Sequence, residues 1–245
     1  MRIQRPLRAL LLLTLGVAAG GARVGRAGVV SPGQPPAPSQ GAASAPATRE
    51  IAVTFDDLPA VSVVNGEPGA LLTFTDRLLG RFVTARVPVT GFVNEGKLTV
   101  KGEGLSGQAA RIALLRQWVD RGFELGNHTY SHRSLNDLPL EEFQADVARG
   151  EPVTATLLAE RGLRLRYFRH PFLQVGLELE KRRAFEAWLQ DRGYTVAPVT
   201  IDNDDYIFAA VYAARLKAGD REAASRVADA YVAYMESVFA FNEGL

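Results

Sequence analysis

Short apolar runs rich in β-branched and aromatic residues alternate along this chain with longer stretches whose apolar residues recur at helical spacing, and few folds accommodate that alternation. Ile51–Phe55, Val87–Val93, Phe123–Leu125, Arg166–Phe168 and Thr195–Ile201 read as strands. Between them, Leu71, Leu72, Leu78, Leu79 and Phe82, then Ile112, Leu115, Trp118 and Val119, mark helical faces. Pro139 opens a further helix with Glu141 and Glu142 in its first turn, where the helix dipole favours acids. Pro152 kinks or restarts that helix, Leu179–Leu189 is helical again, and helices over about 206–217 and 221–241 close the chain. About five strands alternating with helices imply an α/β fold, a parallel sheet or barrel with helices outside. Chemistry in such folds gathers at the carboxyl ends of the strands.

Four of the five strand ends carry residues with chemical uses. They are Asp56-Asp57, then Asn127-His128-Thr129-Tyr130-Ser131-His132, then Arg169-His170-Pro171-Phe172, then Asp202-Asn203-Asp204-Asp205-Tyr206. The exception is Val87–Val93, which runs into Asn94-Glu95. If the strands are parallel, these clusters meet on one rim.

Each cluster has an ordinary reading when taken alone. An Asp-Asp pair is more often an exposed turn or a helix cap. After a buried strand, however, two adjacent carboxylates need a cation or a basic partner, because desolvation penalises each charge. A lone His-x-x-x-His is more often surface or core histidine than a metal site. Beside an Asp-Asp pair on a neighbouring strand end the balance reverses, since two imidazoles and a carboxylate suit Zn, Fe, Co or Mn with open water positions. Arg169 at a strand end calls for a carboxylate, and Asp56 is its natural partner. His170 alternates sides with Arg169 in an extended segment, so the two do not face the same pocket.

Thr54-Phe55-Asp56-Asp57, His128-Thr129-Tyr130-Ser131-His132 and Arg169-His170-Pro171-Phe172 resemble, in order and spacing, the first three motifs of the polysaccharide deacetylases of carbohydrate esterase family 4. Asp202-x-x-Asp205-Tyr206 resembles the fourth more loosely, with Tyr where that family often has Trp. The resemblance runs from about Arg49 to Tyr206. It implies a distorted (β/α) barrel and hydrolysis of N-acetyl groups from chitin-like or peptidoglycan-like polymers. By the same analogy Asp57, His128 and His132 hold one divalent ion, Zn first, with Co, Ni, Mn or Fe allowed. Asp56 is the general base, Arg169 orients it, and the backbone N–H near Phe172 helps bind the oxyanion. Asp205 tunes a catalytic histidine and Tyr206 lines the substrate groove.

One motif of that family has no counterpart. Its late Leu-x-His supplies the acid for the leaving amine, and no histidine follows His170 in this sequence. The expectation is therefore a barrel incomplete or open at its C-terminal side, with slow turnover. Two other readings stand beside the enzyme: a deacetylase-like glycan-binding module that turns over weakly or not at all, and a small-amide hydrolase of the same fold. A phosphatase ranks last, for want of a phosphate-cradling Gly-rich loop.

Composition sets the remaining limits. There is no cysteine, which excludes disulfides and thiolate metal ligands. Six of the 28 Lys and Arg lie in residues 1–49, which hold no acid. The other 22 face all 27 acidic residues, a net of −5, so the body offers nucleic acid no electrostatic attraction. Arg2, Arg5 and Arg8 precede the apolar run Ala9–Ala19, and small residues follow. This is the layout of a secretory signal peptide, expected over 1–22, and it is too short for the ~20 apolar residues of a spanning helix. Residues 23–48, uncharged and Pro/Gly/Ala/Ser-rich from Ala27 on, read as a flexible tether, and 49–245 as the deacetylase-like domain. The mature protein is thus expected outside the cytoplasm, periplasmic or secreted, without a membrane span and with a carbohydrate polymer or oligomer as its partner.

Overall fold

Five parallel strands lie side by side in chain order: β1 (Val53–Leu58), β2 (Val89–Val93), β3 (Glu124–Asn127), β4 (Tyr167–Phe168) and β5 (Thr195–Val196). They belong to a computed structural model that describes residues 50–59 and 68–244. The expected signal segment and tether lie outside the described residues. The helices are α1 (Pro68–Ala85), α2 (Gly104–Asp120), α3 (Leu140–Arg149), α4 (Pro152–Ala159), α5 (Leu179–Asp191), α6 (Asp205–Lys217) and α7 (Arg221–Glu243). The α/β class is as expected, and among the described residues the barrel is not closed: no pairing joins β5 to β1.

The sheet is nonetheless curled. Arg169, just after β4, hydrogen-bonds Thr54 and Asp56 on β1 and the carbonyl of Ala197 just after β5. In a flat sheet β1 and β4 would stand about 14 Å apart, three strand spacings, which is longer than an arginine side chain. One residue reaches three strand ends only because the sheet wraps toward a barrel.

Local chemistry explains the helix boundaries. Pro152 sits at the first position of α4, where its missing N–H costs nothing. The Val153 and Thr154 amides of that helix start, which have no acceptor within the helix, donate to the buried Glu95 carboxylate at 3.2 and 2.7 Å. The result is a restart rather than a kink. In α3, Glu141 and Glu142 lie in the first turn and Arg149 in the last, which complements the helix dipole.

Several strand ranges differ from the sequence reading. β1 does not stop before the aspartates. It runs through them to Leu58, with an irregular register between Phe55 and Leu58. β3 is shifted toward its C-terminal end and includes Asn127. β5 is two residues rather than Thr195–Ile201. Its last sheet bond is Ala197 N–H to the Phe168 carbonyl, 2.8 Å. Pro198 has no N–H to continue the ladder, and the Ala197 carbonyl is taken by Arg169 Nε at 3.1 Å.

Two apolar clusters support the sheet. One packs Leu58, Val93 and Leu125 against Leu79, Leu115, Trp118 and Leu158 from α1, α2 and α4. The other centres on Phe168, with Phe143 of α3 and Phe185 of α5 at 5.0 Å from each other in an edge-to-face pair. Full burial of each such ring contributes about 1.5–3 kcal/mol. These cores lie directly beneath the strand ends that carry the polar clusters.

Candidate metal centre

The loop after β3 is held on several sides. Asn127 Oδ1 accepts the Thr129 amide at 2.7 Å, and its Nδ2 donates to the Val147 carbonyl and the Tyr194 hydroxyl, each at 3.0 Å. Asn94, after β2, donates from Nδ2 to the His128 carbonyl. Gly96 and Gly150 close on the loop: a Cβ on Gly96 would stand 2.4 Å from the Tyr130 carbonyl oxygen, and one on Gly150 2.9 Å from the Thr129 carbonyl carbon. Both positions therefore require glycine. Thr129 Oγ1 accepts the His132 amide at 3.0 Å, which tightens the turn between the two histidines.

That turn and β1 bring Asp57, His128 and His132 together, each offering one ligand atom, all within 4.8 Å of one another. His128 Nδ1 lies 2.9 Å from the Arg169 carbonyl. A carbonyl only accepts, so the proton is on Nδ1 and the Nε2 lone pair is free to face a cation. Burial pushes the His128 imidazole below its ordinary pKa, against the pull of Asp56 and the Arg169 carbonyl. Burial lowers His132 as well, against the charge of Asp57 and with Lys97 adding to the effect. Burial alone would raise Asp57, but the hydrogen bond and charge of Lys97, with smaller pulls from His132 and His128, hold it below the usual carboxylate value. Two neutral imidazoles and an ionised carboxylate are the protonation states that a divalent ion requires, so the donor set fits such an ion.

Asp56, one residue earlier on β1, has a different anchor. Its Oδ1 accepts from Arg169 Nη1 at 2.7 Å, and its Oδ2 lies 4.0 Å from His128 Nε2. Arg169 is buried, bonds Thr54 Oγ1 at 2.6 Å with the same Nη1, and lies over the Phe92 ring at 4.1 Å. One Asp56 oxygen is therefore anchored while the other adjoins the ligand set.

The remaining motif residues divide. The Phe172 ring stands 4.5 Å from that of His132 and is 62% exposed at the rim. Asp205 opens α6; burial raises its carboxyl against a hydrogen bond from the Tyr206 amide, and the charges of Asp202, Asp56 and Asp57 add to the rise. The fourth cluster thus reaches the rim electrostatically, although among the described residues no hydrogen bond joins Asp205 to a histidine. Tyr206 is 70% exposed on the same first turn. His170 points away from Arg169 into the Phe168–Phe185 core, where burial pushes it down to about 4.

Backbone strain marks the same places. Among the described residues six non-glycine positions have positive φ, and five of them are Asp57, Thr129, His132, Phe172 and Leu173. Each costs on the order of 1–3 kcal/mol, which the packing beneath must offset. Sequence reasoning did not anticipate Lys97, whose Nζ lies 2.7 Å from Asp57 Oδ1, nor the supporting roles of Thr54, Asn94 and Asn127. The end of β2 is thus no exception to the polar rim: Asn94-Glu95 was its visible signal.

The sequence profile of the family described as polysaccharide deacetylase matches residues 43–187. The chain belongs to this family. A peptidoglycan-N-acetylglucosamine deacetylase of Bacillus cereus is 25% identical over 157 residues, 64% of this chain and 46% of the relative. The chain thus spans about half the length of that curated relative. Among solved structures, a family 4 carbohydrate esterase from Streptomyces lividans aligns over 66% of this chain and 72% of its own, at 22% identity and a TM-score of 0.44. A chitin deacetylase from Colletotrichum lindemuthianum aligns over 63% of this chain and 57% of its own, at 24% identity and a TM-score of 0.46.

Proposed function

We propose that this chain is a metal-dependent hydrolase that removes N-acetyl groups from amino-sugar polymers of the peptidoglycan or chitin kind. The observation that carries this reading is the pairing of two sites on one rim: the Asp57, His128 and His132 donors, and an anchored Asp56 beside them. Zinc is the first choice of ion. When bound, such an ion supplies Lewis acidity toward the acetyl carbonyl and toward attacking water. Asp56 accepts the proton of that water on Oδ2, because Arg169 holds Oδ1. The backbone N–H of Phe172 donates to the oxyanion. Asp205 and the exposed Tyr206 border the substrate. The arginine-led apolar N-terminus supports export, so the polymer is met outside the cytoplasm.

His170 favours a second reading, in which the chain binds metal and glycan but turns over slowly. The sequence has three histidines. Two belong to the ligand set, and the third is buried and neutral down to about pH 4. Within these 245 residues no further imidazole is placed to protonate the departing amine, a role worth about 10²–10⁴-fold.

The test has two parts. Metal content is measured in the purified parent and in His128→Ala; a stoichiometric ion in the parent and none in the variant is expected, and equal content in both would end the metal assignment. Turnover of an N-acetylated chito-oligomer is then compared with that of an O-acetylated sugar, whose alkoxide needs less help to leave. Fast ester and slow amide cleavage select the second reading; comparable rates select the first.

A further inference from the structure

Lys97 stands in a short 3-10 turn, Glu95–Leu98, directly after β2. Its ammonium lies 2.7 Å from Asp57 Oδ1 and 3.5 Å from the Asp57 carbonyl oxygen. The same Oδ1 stands 3.4 Å from His132 Nε2. One carboxylate oxygen therefore faces both the imidazole with which it would share an ion and a fixed positive charge. The lysine is not a free surface cation. Its turn is tied down by Gly96 N–H to the Tyr130 carbonyl at 2.9 Å, by Lys97 N–H to the Asn94 carbonyl at 3.0 Å, and by Glu95 capping α4. Its side chain is about two-thirds covered.

We infer that Lys97 is a built-in competitor for the metal at Asp57, setting the affinity of the site below what its three ligands alone would give. This rests on the reading of Asp57, His128 and His132 as the ligand set. Two cations on one oxygen repel each other, and each draws electron density from the atom the other needs. In a partly desolvated site that repulsion is only weakly screened. By linkage, whatever Lys97 costs the ion, the ion costs Lys97, so loading the site loosens the Lys97–Asp57 bond. The opposite role is also physically definite. An outer-shell hydrogen bond that orients a ligand strengthens metal binding, and its removal typically weakens affinity 10–100-fold. The repulsion of a whole charge by a doubly charged ion on the same atom outweighs orientation of a carboxylate that β1 already fixes. The two roles give opposite signs on mutation.

The deciding measurement is the zinc dissociation constant of the full chain, by competition with a chromophoric chelator at fixed pH and moderate salt. It is made on the parent, Lys97→Met, Lys97→Gln, Lys97→Arg and the control Lys101→Met, a nearby exposed lysine. The inference expects Lys97→Met and Lys97→Gln to bind zinc about tenfold tighter or more. Gln keeps a donor and loses the charge, so it isolates the charge and stands in should Met misfold. Lys97→Arg, with its charge retained, and Lys101→Met should stay near the parent. Unchanged or weaker binding by both neutral variants overturns the inference while leaving the ligand set intact. A parent that binds no zinc, or a His128→Ala variant that binds it as well as the parent, overturns the ligand set and the inference with it.

Discussion

In α2 six residues between Gly107 and Val119 are buried, whereas α6 and α7, 13 and 23 residues long, bury one alanine each, Ala213 and Ala224. The first helix belongs to the packed body that lies under the rim with the candidate metal centre. The second pair is held mainly by its own rings, Phe208 with Tyr231 at 5.2 Å and with Tyr234 at 5.4 Å. Two hydroxyls tie it to the segment before α6: Tyr231 to Asn203 Oδ1 at 3.2 Å and Tyr234 to Asp204 Oδ2 at 3.3 Å. Asp205 follows immediately. The candidate metal ligands and Asp56 thus rest on dense packing, and Asp205 rests on a thinner, more local support. Strained backbone is affordable in the first region because many contacts over-determine it. The described residues of the second region contain no positive φ outside glycine.

The largest expected effect tests the packed side. Asp56→Asn should keep metal, lose at least about 10² in any turnover the parent shows, and destabilise the fold by about 3 kcal/mol. The stability loss arises because Arg169, 3% exposed, keeps its charge without its carboxylate. Metal analysis and urea denaturation read both quantities. Loss of metal as complete as in Asp57→Asn would mean that the two aspartates share the ligand role.

A second effect of similar size in stability belongs to the core beneath that rim. His170 titrates near 6.5 when unfolded and at about 4 when folded, because burial disfavours its charged form. Above pH 6.5 it is neutral in both states and imposes no penalty. As pH falls from 6.5 toward 4 the unfolded chain takes the proton first, and stability drops by on the order of 3 kcal/mol before levelling off. His170→Phe should remove that part of the slope, seen as a flatter unfolding free energy between pH 4 and 6.5. A slope identical to the parent's would show that His170 is not buried neutral.

The smallest effect sharpens the other side. Tyr231→Phe deletes one hydroxyl and should cost about 0.5–1.5 kcal/mol, with zinc affinity unchanged. If zinc affinity falls with it, the hairpin and the metal centre are not the separate supports described above.

The chemistry-bearing residues were legible because short strands ending in Asp, His and Arg leave few places for those side chains but one rim. The partnership of Arg169 with Asp56 followed from charge alone and is present at 2.7 Å. Lys97 was not legible. A lysine in a polar turn resembles any solvated lysine, and only the β1–β2 register, Thr54 beside Thr90 and Leu58 beside Val93, brings that turn against Asp57. The extent of β5 escaped for a related reason. Thr195–Ile201 has β-forming residues on both sides of Pro198, but an arginine from another strand end consumes the carbonyl that would have continued the ladder.

The bonds of Arg169 also impose an order of events on a folding chain. Asp56 lies 113 residues before it and Ala197 only 28 after. Closing the longer loop carries the larger entropic cost, and long-range pairings of parallel strands form slowly. A nascent chain that has made β1 and the histidine turn holds the candidate donors Asp57, His128 and His132, yet until β4 docks both Asp56 and the His128 imidazole lack their partners on Arg169. On the proposed function, an anchored base would therefore arrive late, with the curling of the sheet, and a partly folded chain would present the candidate donors without it.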